Sequence, residues 1–282
     1  MADLAQYLPL ILTLLAVGAV AGLSAGLLGI GGGAVMVPAL FFAFDALGVS
    51  QNVVMHSAVA TSSAIIIVNA IRSTLSHHKH GAVDWDLLWP KNPFLSYAFW
   101  IGLGAFLAAI WLAPRLSGQA LTVLFAGAVS FVALQFIFGR PDWKLRDTVP
   151  GGMARPVFGG AIGMISSLMG IGGGNLIVPL LSICGVPIHR AVATASGFGF
   201  AVALPATLGF IISGIGAEGR PAFSLGYVNA MGFVLIASIA FLTIPLGAKL
   251  AHSMSQKKLK MIFGICLLLV AINMARKALI SL

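Results

Sequence analysis

The chain has 282 residues, of which 59% are hydrophobic and only 8% charged, where a soluble domain carries about 25% charged residues. Mean hydropathy is +1.04, and apolar runs recur from the first ten residues to the last. This excludes a soluble fold and a nucleic-acid role for the +9 formal charge, and predicts a polytopic membrane protein whose Lys and Arg sit in short loops and set orientation.

In chain order, apolar windows fall at about 6–28, 34–47, 53–75, 92–113, 119–138, 156–169, 175–188, 190–214, 224–250 and 259–280. Most reach the ~20 residues that cross a bilayer as helix; runs of ~10–14 residues more often enter and return. The short windows, 34–47 and 175–188, are the two that follow a glycine run. The first window follows Asp3 and no basic stretch, so it reads as a retained segment and not a signal peptide. Cys184 and Cys266 lie in apolar segments without metal-ligand spacing, so neither a disulfide framework nor a zinc site is expected.

The chain is internally duplicated. Displacing it by 141 positions aligns Gly29-Ile30-Gly31-Gly32-Gly33 and Val37-Pro38 with Gly170-Ile171-Gly172-Gly173-Gly174 and Val178-Pro179, giving 11 identities in the 23 positions from 18 to 40. At an offset of 133, His56-Ser57-Ala58-Val59-Ala60-Thr61-Ser62-Ser63 matches the block from His189 to Ser196 at six of eight positions. The chain therefore reads as an all-α polytopic membrane protein of two five-segment repeats, 1–140 and 156–282. A cytoplasmic loop at 141–155, rich in Pro, Gly and charge, joins them.

Loop charges predict how the repeats face. If each glycine motif lies in a hairpin that returns to its starting side, or if both its arms cross, twelve of the 16 Lys and Arg fall on one side, and Arg115, Arg220, Arg276 and Lys277 on the other. A single broken crossing would reduce the split to ten and six. The positive-inside rule favours the first arrangement, with both termini outside and the repeats inverted. Inverted repeats joined by interrupted apolar segments are the pattern of a secondary transporter with a midplane site.

The glycine runs carry the candidate chemistry. Three consecutive glycines cost a helix ~1 kcal/mol each, so Gly31, Gly32, Gly33, Gly172, Gly173 and Gly174 are expected to break helices and expose N–H groups. Two facing helix N-termini would then present positive dipole ends to one anion. Gly18, Gly22, Gly159 and Gly163 instead read as helix-packing residues. Thr61, Ser62, Ser63, Thr194 and Ser196 add hydroxyls, Asn175 a polar side chain after the second run, and Arg190 a charge at the inner mouth. Arg190 is also explained by loop charge alone. His56 and His189, the duplicated titratable pair, are proton-coupling candidates, with capping or interfacial anchoring the alternative. His77-His78-Lys79-His80 reads as a solvated loop and not a metal tract, and Asn69, Gln135 and Asn229 as interhelical hydrogen-bonding residues. No nucleotide-binding or catalytic constellation stands out, so no enzyme, cofactor or metal is expected.

These motifs resemble the sulfite exporter TauE/SafE family, also called TSUP, whose marks are a duplicated Gly-x-Gly-Gly-Gly-x-x-x-Val-Pro and a following Ala-x-Ala-Thr-Ser block. Here they read Gly29 to Pro38 with Ala58 to Ser63, and Gly170 to Pro179 with Ala191 to Ser196, Ala195 replacing a serine. The runs at 224–229 and 247–251 fit the same pattern. The resemblance implies export of a small sulfur-containing anion, such as sulfite, sulfoacetate or sulfolactate, across the bacterial inner membrane. The partners expected are that anion and the lipid bilayer, with monomer and homodimer both open. A passive anion channel and a membrane assembly or helper protein are the alternatives.

Overall fold

Hydrocarbon offers backbone N–H and C=O groups no partner but each other, so apolar runs of this length become helices. The computed structural model describes residues 2–28, 31–79, 81–90, 92–138, 148–251 and 256–280. Its helices are α1 (Ala2–Leu28), α2 (Gly33–Ala46), α3 (Gln51–His78), the single turn α4 (Trp85–Leu88), α5 (Tyr97–Leu107), α6 (Gly118–Phe138), α7 (Ala154–Met169), α8 (Gly174–Ile183), α9 (Ile188–Ser213), α10 (Ala230–Ala251) and α11 (Gln256–Ile280). Among the described residues, five stretches are long and apolar enough to cross a membrane: Gln51–His78, Tyr97–Arg115, Gly118–Phe138, Arg190–Ser213 and Ala230–Gly247. The protein is a mostly helical, multi-pass membrane protein.

Two departures from uninterrupted helix have local causes. Residues 224–229, expected to begin a helix, instead form an antiparallel pair of two-residue strands, β1 (Ser224–Leu225) and β2 (Val228–Asn229). Gly226 at φ 56° makes the turn between them. Beyond Leu107, α5 widens into a π turn (Ala108–Leu112) and a 3-10 turn ending at Arg115, with Pro114 inside. A π turn disturbs the regular carbonyl ladder, and Ser213 of α9 donates to the Ala109 carbonyl there at 3.0 Å.

The helices that follow the glycine runs are short. The 14 residues of α2 and the 10 of α8 rise about 21 and 15 Å, at 1.5 Å per residue, against ~30 Å of hydrocarbon. Neither spans alone.

Helix pairing crosses between the halves. The main partner of α1 is α10, that of α7 is α5, α6 packs on α11, and α3 crosses α9. Small residues make these approaches close: a Cβ on Gly22 would overlap Ala240 of α10, and one on the equivalent Gly163 would overlap the Ile101 carbonyl of α5. The buried set is rich in Ala, Ser, Thr and Gly, while Leu12, Phe131, Leu242 and Leu269 are more than half exposed. Large apolar side chains outside and small ones inside suit lipid as the solvent.

Loop contacts sort into two ends. At one, Gln51 donates to Asp45 at 2.6 Å, Lys277 pairs with the same carboxylate, and His56 reaches Ala113. At the other, Arg190 pairs with Asp84 at 3.4 Å, and Tyr97 donates to the Pro150 carbonyl. Of the 141–155 loop, residues 141–147 lie outside the described residues; 148–153 contain no helix.

Candidate functional site

The two glycine runs meet. Gly31 and Gly32 adopt φ of 73° and 78°, and Gly172 adopts 68°, left-handed values that an L side chain avoids. A Cβ on Gly33 would overlap the Gly170 carbonyl oxygen, so the first run lies directly on the second. The Ile66 side chain of α3 touches both, within 3.3 Å of a Cβ placed on Gly31 and 3.0 Å of one on Gly172. Because α2 starts at Gly33 and α8 at Gly174, both short helices begin at this junction. The Val35 and Met36 amides donate to the Gly32 carbonyl and the Leu176 and Ile177 amides to the Gly173 carbonyl. It is the amides ahead of these, from Gly33, Ala34, Gly174 and Asn175, that have no acceptor in a preceding helical turn.

Side chains of α3 pin the broken segments. Ser62 Oγ donates to the Gly170 carbonyl at 2.8 Å, and Asn69 Nδ2 donates to the Gly31 carbonyl at 3.1 Å. A cavity of about 10 Å3 opens beside them, lined by Gly31, Gly172, Gly174, Ala70, Ser73, Ser196 and Gly199. Its polar wall is the Ser73–Ser196 hydroxyl pair, 3.1 Å apart across the α3–α9 crossing. A second void of similar size, between α5, α7, α8 and α9, is lined by Tyr97, Ile101, Ile177 and Phe198 among others. It gathers no convergent polar side chains.

Of the residues expected from sequence, Gly31, Gly172, Gly174 and Ser196 line the central cavity. Gly32 packs on Ala21, Gly33 on Gly170, and Gly173 on Ile177 and Val202. Ser63 bonds the Val59 carbonyl of its own helix. The side chains of Asn175 and His189 lie outside the described residues, as do Gly29 and Ile30. Arg190 is exposed and pairs with Asp84.

Thr61 and Thr194 do equivalent things at opposite ends. Thr61 Oγ1 accepts from the Asn229 amide at 2.9 Å, and Thr194 Oγ1 accepts from the Asp84 amide at 3.0 Å. Each Asx residue then starts a helix. The Asp84 carboxylate accepts from Leu87 N at 3.1 Å, and the Asn229 amide oxygen accepts from Gly232 N at 2.8 Å. Each bond joins a helix of one half to a loop of the other. The signal was present in the sequence: Gly81-Ala82-Val83-Asp84 and Gly226-Tyr227-Val228-Asn229 are a third duplicated motif, Gly-x-Val-Asx. Both glycines have positive φ.

His56 is 3% exposed. Its Nε2 lies 3.0 Å from the Ala113 carbonyl and so carries the donated proton, and its ring stacks on Tyr227 with centroids 5.2 Å apart. Burial raises the Tyr227 phenol above its ordinary value, against the lowering influence of Arg220, so the ring meets His56 uncharged. In the histidine tract, His78 Nδ1 accepts from Trp85 Nε1 at 3.1 Å. No cluster of three metal-ligating side chains occurs among the described residues.

The family model for the sulfite exporter TauE/SafE matches residues 14–274. The chain is 33% identical over 267 residues to a probable membrane transporter protein of Haemophilus influenzae, covering 95% of this chain and 98% of that one. It is 28% identical to a probable membrane transporter protein of Methanocaldococcus jannaschii, covering 92% and 93% of the two chains. It is 27% identical to one of Bacillus subtilis, covering 95% and 98%. No solved structure matches the chain.

Proposed function

The chain belongs to the sulfite exporter TauE/SafE family and is a membrane transporter, and from that premise we propose that it exports a small sulfur-containing anion by secondary transport. The observation that carries this reading is the meeting of both glycine runs, which brings the starts of α2 and α8 together. Sulfite and organosulfonates such as sulfoacetate are acceptor-rich and charged. First-turn amides and the positive dipole ends of α2 and α8 complement such a group without a cation buried in hydrocarbon.

The cavity of about 10 Å3 has room for about one water, so a sulfonate group does not fit the conformation described here. In this reading that conformation is occluded, and transport requires one half to move against the other. The halves act as inverted repeats. The α1–α2 hairpin serves the end that carries Asp45 and Lys277, and the α7–α8 hairpin the end that carries Asp84 and Arg190. Loop charge assigns the Arg190 end to the cytoplasm and both termini to the periplasm of the inner membrane. The amides that start α2 and α8 contact the anion once the halves have moved, while Ser62, Thr61 and Thr194 position the elements around it. His56 is a strut against Ala113.

The test is anion flux in proteoliposomes, with sulfite, sulfoacetate, taurine and sulfate each offered. A carrier gives saturable uptake, counterflow and competition among substrates. Linear, unsaturable flux would identify a channel instead, and purified protein that binds none of these anions would point to a helper role.

A further inference from the structure

The central cavity contains a second chemistry, opposite to that of the anion. Ser196 Oγ lies 3.1 Å from the Val192 carbonyl and 3.1 Å from Ser73 Oγ. Both contacts are satisfied when Ser196 donates to Val192 and Ser73 donates to Ser196. The two hydroxyl protons are then used inside the protein, and the cavity meets lone pairs.

Beside the cavity, Asn69, bonded to the lining residue Gly31, holds a further buried acceptor. Its Nδ2 bonds the Gly31 carbonyl, and because a carbonyl can only accept, that contact fixes which way the amide is turned. The remaining atom, Oδ1, belongs to a side chain with no exposure and has no hydrogen-bond partner. Unpaired buried acceptors are uncommon and call for an explanation. The Ile171 carbonyl oxygen stands nearby, 3.7 Å from a Cβ placed on Gly31.

An oxyanion does not satisfy such a set, because acceptor would face acceptor. The cavity holds a single water-sized particle. Protein sites for Ca2+ draw on carboxylates and those for transition metals on imidazole or thiolate, and no such cluster occurs among the described residues. The adjacent cation, Arg72, lies over the Phe241 ring of α10, 4.9 Å from its centroid. Neutral hydroxyl, amide and carbonyl oxygens at a broken helix suit a monovalent hard cation.

We infer that the cavity between α3, α9 and the glycine runs is a sodium site, with Ser73 Oγ, Ser196 Oγ and Asn69 Oδ1 as side-chain ligands. Backbone carbonyls of the unwound segments complete the shell. The α9 positions equivalent to Asn69 and Ser73 are Val202 and Ala206, so each chain has one such site and not a symmetric pair. Sodium binding stands independently of the sulfur-anion reading. Its use as a coupling ion rests on that reading.

The experiment is thermal unfolding of the purified full-length protein in detergent, with sodium, potassium and N-methylglucamine gluconate compared at constant ionic strength and no sulfur anion present. Sodium alone is expected to raise Tm saturably. Asn69→Leu and Ser73→Ala are each expected to weaken its apparent affinity roughly tenfold or more, a loss of one ligand, while Ser238→Ala on α10 leaves it unchanged. Equal response to all three salts, the result for an ordered water only, would overturn the site. So would an undiminished sodium response in both ligand variants. If Asn69→Leu does not fold, Ser73→Ala decides alone. Anion flux in proteoliposomes with and without a sodium gradient then tests coupling. Flux indifferent to sodium overturns the coupling role, and a sodium response in a protein that carries no sulfur anion leaves the site standing while the transport reading fails.

Discussion

Gly33 is where backbone proximity, and not side-chain chemistry, demands glycine. Its missing Cβ lets the first glycine run rest on the Gly170 carbonyl and Ile171, and backbone on both sides leaves nothing flexible to yield. Overpacking of this kind costs about 1–3 kcal/mol, so Gly33→Ala is expected to reduce flux about tenfold or more while the protein still inserts. Gly127→Ala, with open space around it, is the matched control and should change flux less than about twofold. His56 makes a second expectation at this scale. Gln preserves an N–H for the Ala113 carbonyl, so His56→Gln should leave the pH dependence of flux unchanged; a displaced profile would return the residue to the proton-coupling role.

Among elements, the paired Thr–Asx contacts join the halves as Ser62–Gly170 and Ser73–Ser196 do, and movement of one half against the other would have to break them. Thr61 and Thr194 are fully buried acceptors for amides of opposite loops. Losing Thr61 would leave a buried N–H unpaired, at about 1–3 kcal/mol, an equilibrium shift of roughly 5- to 150-fold; the Asp84 amide is only part-buried, so losing Thr194 should cost less. Thr61→Val and Thr194→Val should therefore open opposite ends, read by labelling of single cysteines placed at each mouth, and Thr→Ser should restore the parent pattern. Labelling that rises at the same end in both variants would exclude paired gates. The Arg190–Asp84 pair is partly exposed, where such pairs contribute little. Asp84→Asn, which preserves both the amide and a capping oxygen, should change flux less than about threefold; Asp84→Leu, which removes the cap, should cost far more.

These elements also mark what a single sequence discloses. Glycine runs are legible because three consecutive glycines oppose helix wherever they occur, and most helices fall within the hydrophobic windows, although 224–229 turns into a strand pair and α8 stops at Ile183. The partners of those glycines are not legible: Ser62 lies 108 residues from Gly170, and periodicity carries no information across that distance. The hydroxyls of Thr61 and Thr194 are legible as polar groups in apolar segments, but their acceptor role depends on loops whose shared Gly-x-Val-Asx core is only four residues long. Around it, His77-His78-Lys79-His80 and Ala222-Phe223-Ser224-Leu225 have nothing in common. The turn at Gly226 escaped notice because its neighbours are as apolar as a helix.

At the scale of the molecule, each half takes its largest contacts from the other: α1 on α10, α7 on α5, α6 on α11 and α3 on α9. Residues 1–140 and 141–282 should accordingly fail as separate products and succeed as a pair. Co-expressed halves are expected to co-purify and restore flux, whereas either alone is degraded; a stable, separately purified half would contradict the interlaced packing. The broken helices share this dependence, since Gly33 has its counterpart Gly174 in the other half and Ser62 holds a carbonyl there.

That exchange of partners constrains how such a chain arose. A lone ancestral half, built like either half here, would leave the faces of its α1-type and α5-type helices uncovered in lipid. A second copy covers them, each lending the other what it lacks, and two copies joined in one chain are free to diverge. Val202 and Ala206 opposite Asn69 and Ser73 are the trace of that freedom.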